Sequence, residues 1–170
     1  NILNQQGEIV DTLLTDENGE ATSKRLPIDQ QYLLQETKTN EKYILSNEVK
    51  TIKLAENQIT DISFENEKIK GYIQIIKTSA QSSDLAGINQ GEPLEGVKFE
   101  IYNEEGNLVD TITTNSEGIA KSKKLEKGIY KVKEVETNEW YILDENYYTA
   151  EISTNEQIVT LNLENNPATP

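Results

Sequence analysis

The chain repeats itself at an interval of about 99 residues, too long for a solenoid of short units and right for successive domains. Asn1-Ile2-Leu3-Asn4-Gln5-Gln6-Gly7-Glu8-Ile9-Val10-Asp11-Thr12 is answered by Glu100-Ile101-Tyr102-Asn103-Glu104-Glu105-Gly106-Asn107-Leu108-Val109-Asp110-Thr111. Close to half of the aligned positions in 1–26 and 100–125 are identical. The correspondence continues from Tyr32–Glu36 to Tyr130–Glu134, from Lys42–Leu45 to Trp140–Leu143, and from Ile62–Asn66 to Leu161–Asn165. The chain therefore reads as two units, with 1–67 the first, 68–166 the second and 167–170 a C-terminal tail or linker.

Each unit is a series of short alternating segments separated by turn signals. Gln6-Gly7, Asn18-Gly19, Glu105-Gly106 and Glu117-Gly118 suit hairpins. In unit one the segments Val10–Leu14, Tyr32–Glu36, Lys50–Leu54 and Ile59–Glu65 read as strands. In unit two they are Val109–Thr113, Tyr130–Glu134, Thr149–Ser153 and Ile158–Leu163. No helical period of any length competes, so the spacing predicts an all-β sandwich. The copies are unequal: unit two opens with Gly71–Lys77 and continues through Leu94–Ile101, whereas unit one begins at the equivalent of Ile101. Unit one is thus expected to lack its opening strand within this chain.

Strand alternation puts Ile73, Ile75 and Lys77 on one face. An inward apolar row ending in an ammonium is a misfit, because burying a charge without a partner costs several kcal/mol. Two further segments of unit two carry the same oddity: Tyr130, Val132 and Glu134 share a face, as do Val159, Leu161, Leu163 and Asn165. Unit one repeats two of the three, ending in Glu36 and Asn66. A single polar residue at a strand end ordinarily faces water; three types in register suggest a buried cluster. Desolvation favours the neutral forms of both an amine and a carboxyl group. A neutral amine is a nucleophile, and a protonated carboxyl can donate to the Asn carboxamide oxygen as negative charge develops there. Loss of ammonia would then leave a Lys–Asn isopeptide bond, with no cofactor and a single turnover.

Composition narrows the alternatives. Among 170 residues there is no Cys, His or Met, so the usual nucleophile, general base and soft metal ligands are missing. The net charge of −14 opposes binding to nucleic acid and to anionic membranes. Asp16-Glu17-Asn18-Gly19 has part of a calcium-loop pattern without the remaining ligand spacing, and a hairpin turn explains it better. Trp140, Tyr147 and Tyr148 have no aromatic counterparts in unit one and are the candidates for a binding surface, while Tyr43 and Tyr141 recur and read as core. No cofactor or metal is expected.

Together Gly71–Lys77, Leu94–Tyr102, Gly128–Glu134 and Val159–Asn165 resemble the B-type repeat domain of the collagen adhesin, a domain also found in the stalks of Gram-positive pilins (SpaA-like). The resemblance spans unit two and all of unit one except its absent first strand. It implies tandem immunoglobulin-like, or prealbumin-like, sandwiches in an extracellular stalk module at the bacterial cell surface. It also implies an intramolecular bond between Lys77 and Asn165 assisted by Glu134, with Glu36 and Asn66 as the equivalents in unit one. Glu136 is the rival acid, and Asn162 or Asn166 the rival amide. The implied partners are neighbouring repeats of the parent protein. The alternative is an adhesive module that binds a host protein or glycan, and an enzyme built on a carboxylate pair comes third. No sorting motif occurs in these residues, so wall attachment is implied by the resemblance alone.

Overall fold

The computed structural model describes residues 1–168 and divides into two compact units, Asn1–Glu67 and Lys68–Pro170. Every regular element among the described residues is a β-strand. Unit one contains β1 (Ile2–Leu3), β2 (Ile9–Asp11), β3 (Gln31–Gln35) and β4 (Val49–Lys53) in one antiparallel sheet of order β2-β1-β3-β4.

Unit two contains β5 (Lys70–Ser79), β6 (Lys98–Tyr102), β7 (Leu108–Thr113), β8 (Ile119–Lys121), β9 (Leu125–Glu126), β10 (Gly128–Glu136), β11 (Tyr147–Ile152) and β12 (Ile158–Asn165). These form two sheets, β11-β10-β6-β7 and β12-β5-β8, with β9 also paired to β5. One core joins them: Ile73, Ile75, Ala120 and Leu163 from the second sheet pack with Phe99, Ile101, Val132 and Ile152 from the first. The fold is an all-β, prealbumin-like sandwich. Strand alternation accounts for it directly, since β5 is buried at every second residue from Gly71 to Ser79. Its first and last strands, β5 and β12, lie side by side and parallel, with Ile75 opposite Leu161 and Lys77 opposite Leu163.

The two units share local hydrogen bonds at equivalent positions. Asp11 accepts from the Lys24 N–H as Asp110 does from that of Lys123. The Tyr32 hydroxyl donates to the Pro27 carbonyl as the Tyr130 hydroxyl does to that of Glu126. Asp16 and Asn115 each cap the same tight turn, closed by Gly19 and Gly118 at φ of 78° and 74°. Asp16-Glu17-Asn18-Gly19 is thus a turn, and among the described residues no acidic cluster is arranged to hold a metal.

The units differ in which ladders form. The expected strand Ile59–Glu65 forms no ladder, nor do the segments of unit one equivalent to β8 and β9. In unit two all three of those elements pair with β5. The elements of unit one that do form correspond to the sheet β5 does not enter. The predicted strand to Leu14 likewise stops at Asp11, because the partners of the equivalent Ile112 and Thr113 are Phe99 and Lys98, which have no counterparts in unit one of this chain. Only Ile2 and Tyr32 are buried apolar side chains in unit one, and Leu14 and Ile59 are 90% and 84% exposed.

The expected tail at 167–170 begins as part of unit two. Pro167 bridges to Tyr141, and the Ala168 N–H donates to the Trp140 carbonyl at 2.7 Å. Thr169 and Pro170 lie outside the described residues.

Candidate functional site

Lys77 lies near the C-terminal end of β5 and is fully buried. Its backbone is fixed on both sides, with its N–H donating to the Gly118 carbonyl at 2.8 Å and its carbonyl accepting from Leu94 at 2.9 Å. A Cβ at Gly118 would lie 2.5 Å from the Lys77 carbonyl oxygen, so the turn before β8 is glycine by close approach as well as by its φ of +74°. The side chain runs inward past Phe99, whose ring centre is 5.8 Å from Nζ.

Glu134 comes from the facing sheet. Its Oε1 stands 3.4 Å from Lys77 Nζ, with both side chains effectively without solvent exposure. The Asp144 N–H donates to Oε2 at 2.6 Å. Asn165, at the end of β12, donates from Nδ2 to both carboxylate oxygens at 2.8 and 3.0 Å and to Thr137 Oγ1 at 3.3 Å. The three polar ends of three apolar rows therefore converge on one carboxylate. Burial pushes the Lys77 amine below its ordinary pKa of 10.5, an effect that Glu134 opposes without overcoming.

Two atoms in this cluster are left over. Lys77 Nζ and Asn165 Oδ1 are buried without a hydrogen-bond partner, and among the described residues they are the only such side-chain atoms. The 3.4 Å ion pair is close enough for Coulombic attraction but does not meet hydrogen-bond geometry. An unsatisfied buried polar group costs about 1–3 kcal/mol and calls for an explanation.

The rival residues lie elsewhere. The register of β10 against β6 shifts between Glu134 and Glu136, a bulge that turns Glu136 outward to an exposed position opposite Lys98. Asn162 and Asn166 are exposed as well. Sequence reasoning gave Asp144, Thr137 and Phe99 no role at the site and read Gly118 only as a hairpin residue. Of these, Asp144 and Thr137 had a signal in the repeat, because Ser46 donates its N–H to Glu36 at 2.7 Å as Asp144 does to Glu134, and Thr39 occupies the position of Thr137.

Unit one holds the corresponding pair. Asn66 Nδ2 donates to Glu36 Oε2 at 2.7 Å and to the Ile44 carbonyl at 2.9 Å. Among the described residues no lysine forms an ion pair with Glu36. Lys50 is otherwise engaged, bonding the Ser63 carbonyl and lying 5.0 Å from the Phe64 ring.

The aromatic candidates separate. Trp140 and Tyr147 are 56% and 58% exposed, whereas the half-buried Tyr148 donates its hydroxyl to Asp144. Tyr141 is buried and Tyr43 half-buried. A shallow recess of about 410 Å³ beside Trp140 is lined by Ile88, Pro93, Leu94 and Tyr141.

Known proteins share this architecture. A family model described as SpaA, prealbumin-like fold domain, matches residues 1–68 and again residues 71–167. The trypsin-resistant surface T6 protein of Streptococcus pyogenes serotype M6 is 33% identical over 86 residues, which cover 45% of this chain and 16% of that protein. The Bacillus anthracis TIE protein has a structure similar to this one at a TM-score of 0.82 and 27% identity, over 98% of this chain and 30% of its own. The minor pilin GBS52 of Streptococcus agalactiae shares the fold at a TM-score of 0.51 and 22% identity, over 92% of this chain and 67% of its own. The chain thus spans less than a third of the length of the first two relatives. With both units matched by one model and the sandwich on the page, this chain belongs to the SpaA family of prealbumin-like fold domains.

Proposed function

We propose that this chain is a structural stalk segment of a Gram-positive surface protein or pilin, and that unit two is closed by an autocatalytic bond between Lys77 and Asn165. The observation that carries the bond is the pair of orphaned atoms on one carboxylate: Lys77 Nζ and Asn165 Oδ1, both buried beside Glu134.

The chemistry balances within the three side chains. Glu134 takes a proton from the Lys77 ammonium, which leaves a neutral amine and a carboxylic acid in a site where charge is poorly solvated. With the Asn165 amide turned to present Oδ1, the acid donates to that oxygen as Nζ attacks Cγ. The new C–N bond forms, the old one breaks, and Glu134 relays the amine's surplus proton to the departing nitrogen, which leaves as ammonia. The product amide has no charge to desolvate and removes the buried ammonium altogether.

Family membership and the likeness to the surface T6 protein and to the minor pilin support the stalk reading. In that role the partners are neighbouring repeats of the same parent protein, and its place is the bacterial exterior. The adhesive alternative rests on Trp140 and Tyr147. A ligand-dependent rise in Tm across collagen, fibrinogen and glycan panels would move that reading to first place.

Intact mass of the denatured chain tests the bond. A mass one ammonia below the sequence value, restored in full by Lys77→Ala, is the expected result. A full mass in the native chain overturns it.

A further inference from the structure

The turn that follows β3 in unit one and β10 in unit two is written almost identically. Thr39-Asn40-Glu41-Lys42-Tyr43-Ile44-Leu45 is answered by Thr137-Asn138-Glu139-Trp140-Tyr141-Ile142-Leu143, and the one difference is Lys42 against Trp140. The backbone is the same in each. The Tyr43 N–H donates to the Asn40 carbonyl at 3.0 Å, and the Tyr141 N–H to the Asn138 carbonyl at 3.1 Å. Asn40 and Asn138 accept through Oδ1 from the N–H of Lys42 and of Trp140, at 2.9 and 3.0 Å. The turn therefore does not need the indole. Nor does the core, since Trp140 is 56% exposed. One exposed apolar side chain needs no explanation by itself; its surroundings supply one.

Trp140 borders the recess of about 410 Å³ in unit two. Buried Ile88, Leu94 and Tyr141 form its apolar base, and exposed Glu92 and Glu95 stand on its rim. Glu92 Oε2 accepts from the Asn89 N–H at 3.0 Å, which holds that carboxylate in place. No lysine or arginine is among the described residues that line the recess. The two stretches that build it, 80–97 and 134–149, contain none at all. We infer that this recess docks an arginine-bearing, extended segment of another protein, with the guanidinium stacked on Trp140 and paired to Glu92 and Glu95.

The chemistry of the occupant follows from the walls. A tryptophan face is the best aromatic partner for a cation, and arginine is the side chain that most often takes it. Carboxylates only accept hydrogen bonds, and a guanidinium only donates them, in a planar fork that matches carboxylate geometry. The methylene stem of arginine lies well against Ile88 and Leu94. A neutral sugar would also stack on the indole, but its hydroxyls accept as well as donate, and the two rim side chains offer acceptors alone. The net charge of −14 favours the approach of a basic segment. The site needs no bond between Lys77 and Asn165, and it gives the stalk a place where a partner is held.

Trp140 is the only tryptophan in the chain, so its emission reports on this site alone. The probe is the peptide acetyl-Gly-Leu-Arg-Leu-Gly-amide, titrated into the whole chain up to millimolar concentration, with backbone amide chemical shifts followed in parallel. The expected result is a saturable change in Trp140 emission, with shifts confined to 86–95 and 138–141. Citrulline in place of arginine keeps the shape and loses the charge, and should weaken binding ~10-fold or more. The double variant Glu92→Gln/Glu95→Gln should do the same to the arginine peptide. Both glutamates are exposed, so their replacement leaves the fold intact. Trp140→Lys, which restores the residue type of unit one, should abolish the shifts at 86–95. No saturable response to the arginine peptide overturns the inference. So does an equal response to the citrulline peptide, a stronger response to maltose, or a dimer through these residues that excludes the peptide.

Discussion

Burial and an ion pair act on the Lys77 amine in opposite directions, and burial is the larger influence. The sign of the resulting pH dependence can be worked out for a variant in which no bond forms, Asn165→Ala. Unfolded, Lys77 holds its proton up to about pH 10.5; folded, it gives the proton up at a lower pH. Between those points the unfolded state binds more protons, so stability rises with pH through that window and levels off above 10.5. Urea unfolding of Asn165→Ala at pH 7 and at pH 10 should show that rise. The double variant with Lys77→Met should show it reduced. In the native chain, Lys77→Ala or Glu134→Ala should leave the mass uncorrected. Closing a loop of nearly 90 residues contributes about 4–5 kcal/mol in the chain-entropy account, so either variant should lower the Tm of unit two by on the order of 20 °C. The residues of this site were legible because alternation alone puts Lys77, Glu134 and Asn165 inward. The choice between Glu134 and Glu136 was not legible. It depends on one bulge, and a bulge inserts no recognisable residue type.

At the scale of elements, the site depends on how β5 is held at its far end. Gly118→Ala must place a methyl group against the Lys77 carbonyl and adopt a left-handed φ, costing roughly 1–3 kcal/mol and delaying bond formation after refolding. Gly106→Ala is the matched control, with φ of +80° and open space around the added Cβ. It should cost only the backbone penalty of about 1 kcal/mol and leave bond formation unchanged. Chemical denaturation and the time course of ammonia loss separate the two. The sequence showed most strands of unit two, since each alternates for five residues or more. It missed β8 and β9, of three and two residues, whose patterns are too short to carry a period. It also proposed a strand at Ile59–Glu65, where the alternation is present but the neighbour that would turn it into a ladder is not. Local pattern specifies which residues can pair; only the partner makes the strand.

Within residues 1–168, unit two forms two facing sheets and unit one forms one. Hydrogen exchange should find residues 59–65 far less protected than residues 158–165, which pair with β5 throughout. Limited trypsin digestion should cut first in unit one, at exposed Lys24 and Arg25, while unit two should resist until Lys77→Ala removes the proposed bond. Equal cleavage rates in the two units would count against the difference in completeness described above.

The parallel pairing of β5 with β12 also sets a schedule. The two strands are the first and the last of unit two to be synthesised, so neither the core between them nor the contact of Lys77 with Asn165 can form until the final strand has emerged. Until that moment the polypeptide is a linear thread that can pass through a narrow pore. With the proposed Lys77–Asn165 bond in place, the 77–165 segment would be a ring that no pore of single-chain width admits in either direction. The proposed chemistry, which requires the last strand, would therefore be self-timed: it could not obstruct the passage of the thread, and it would make that passage irreversible.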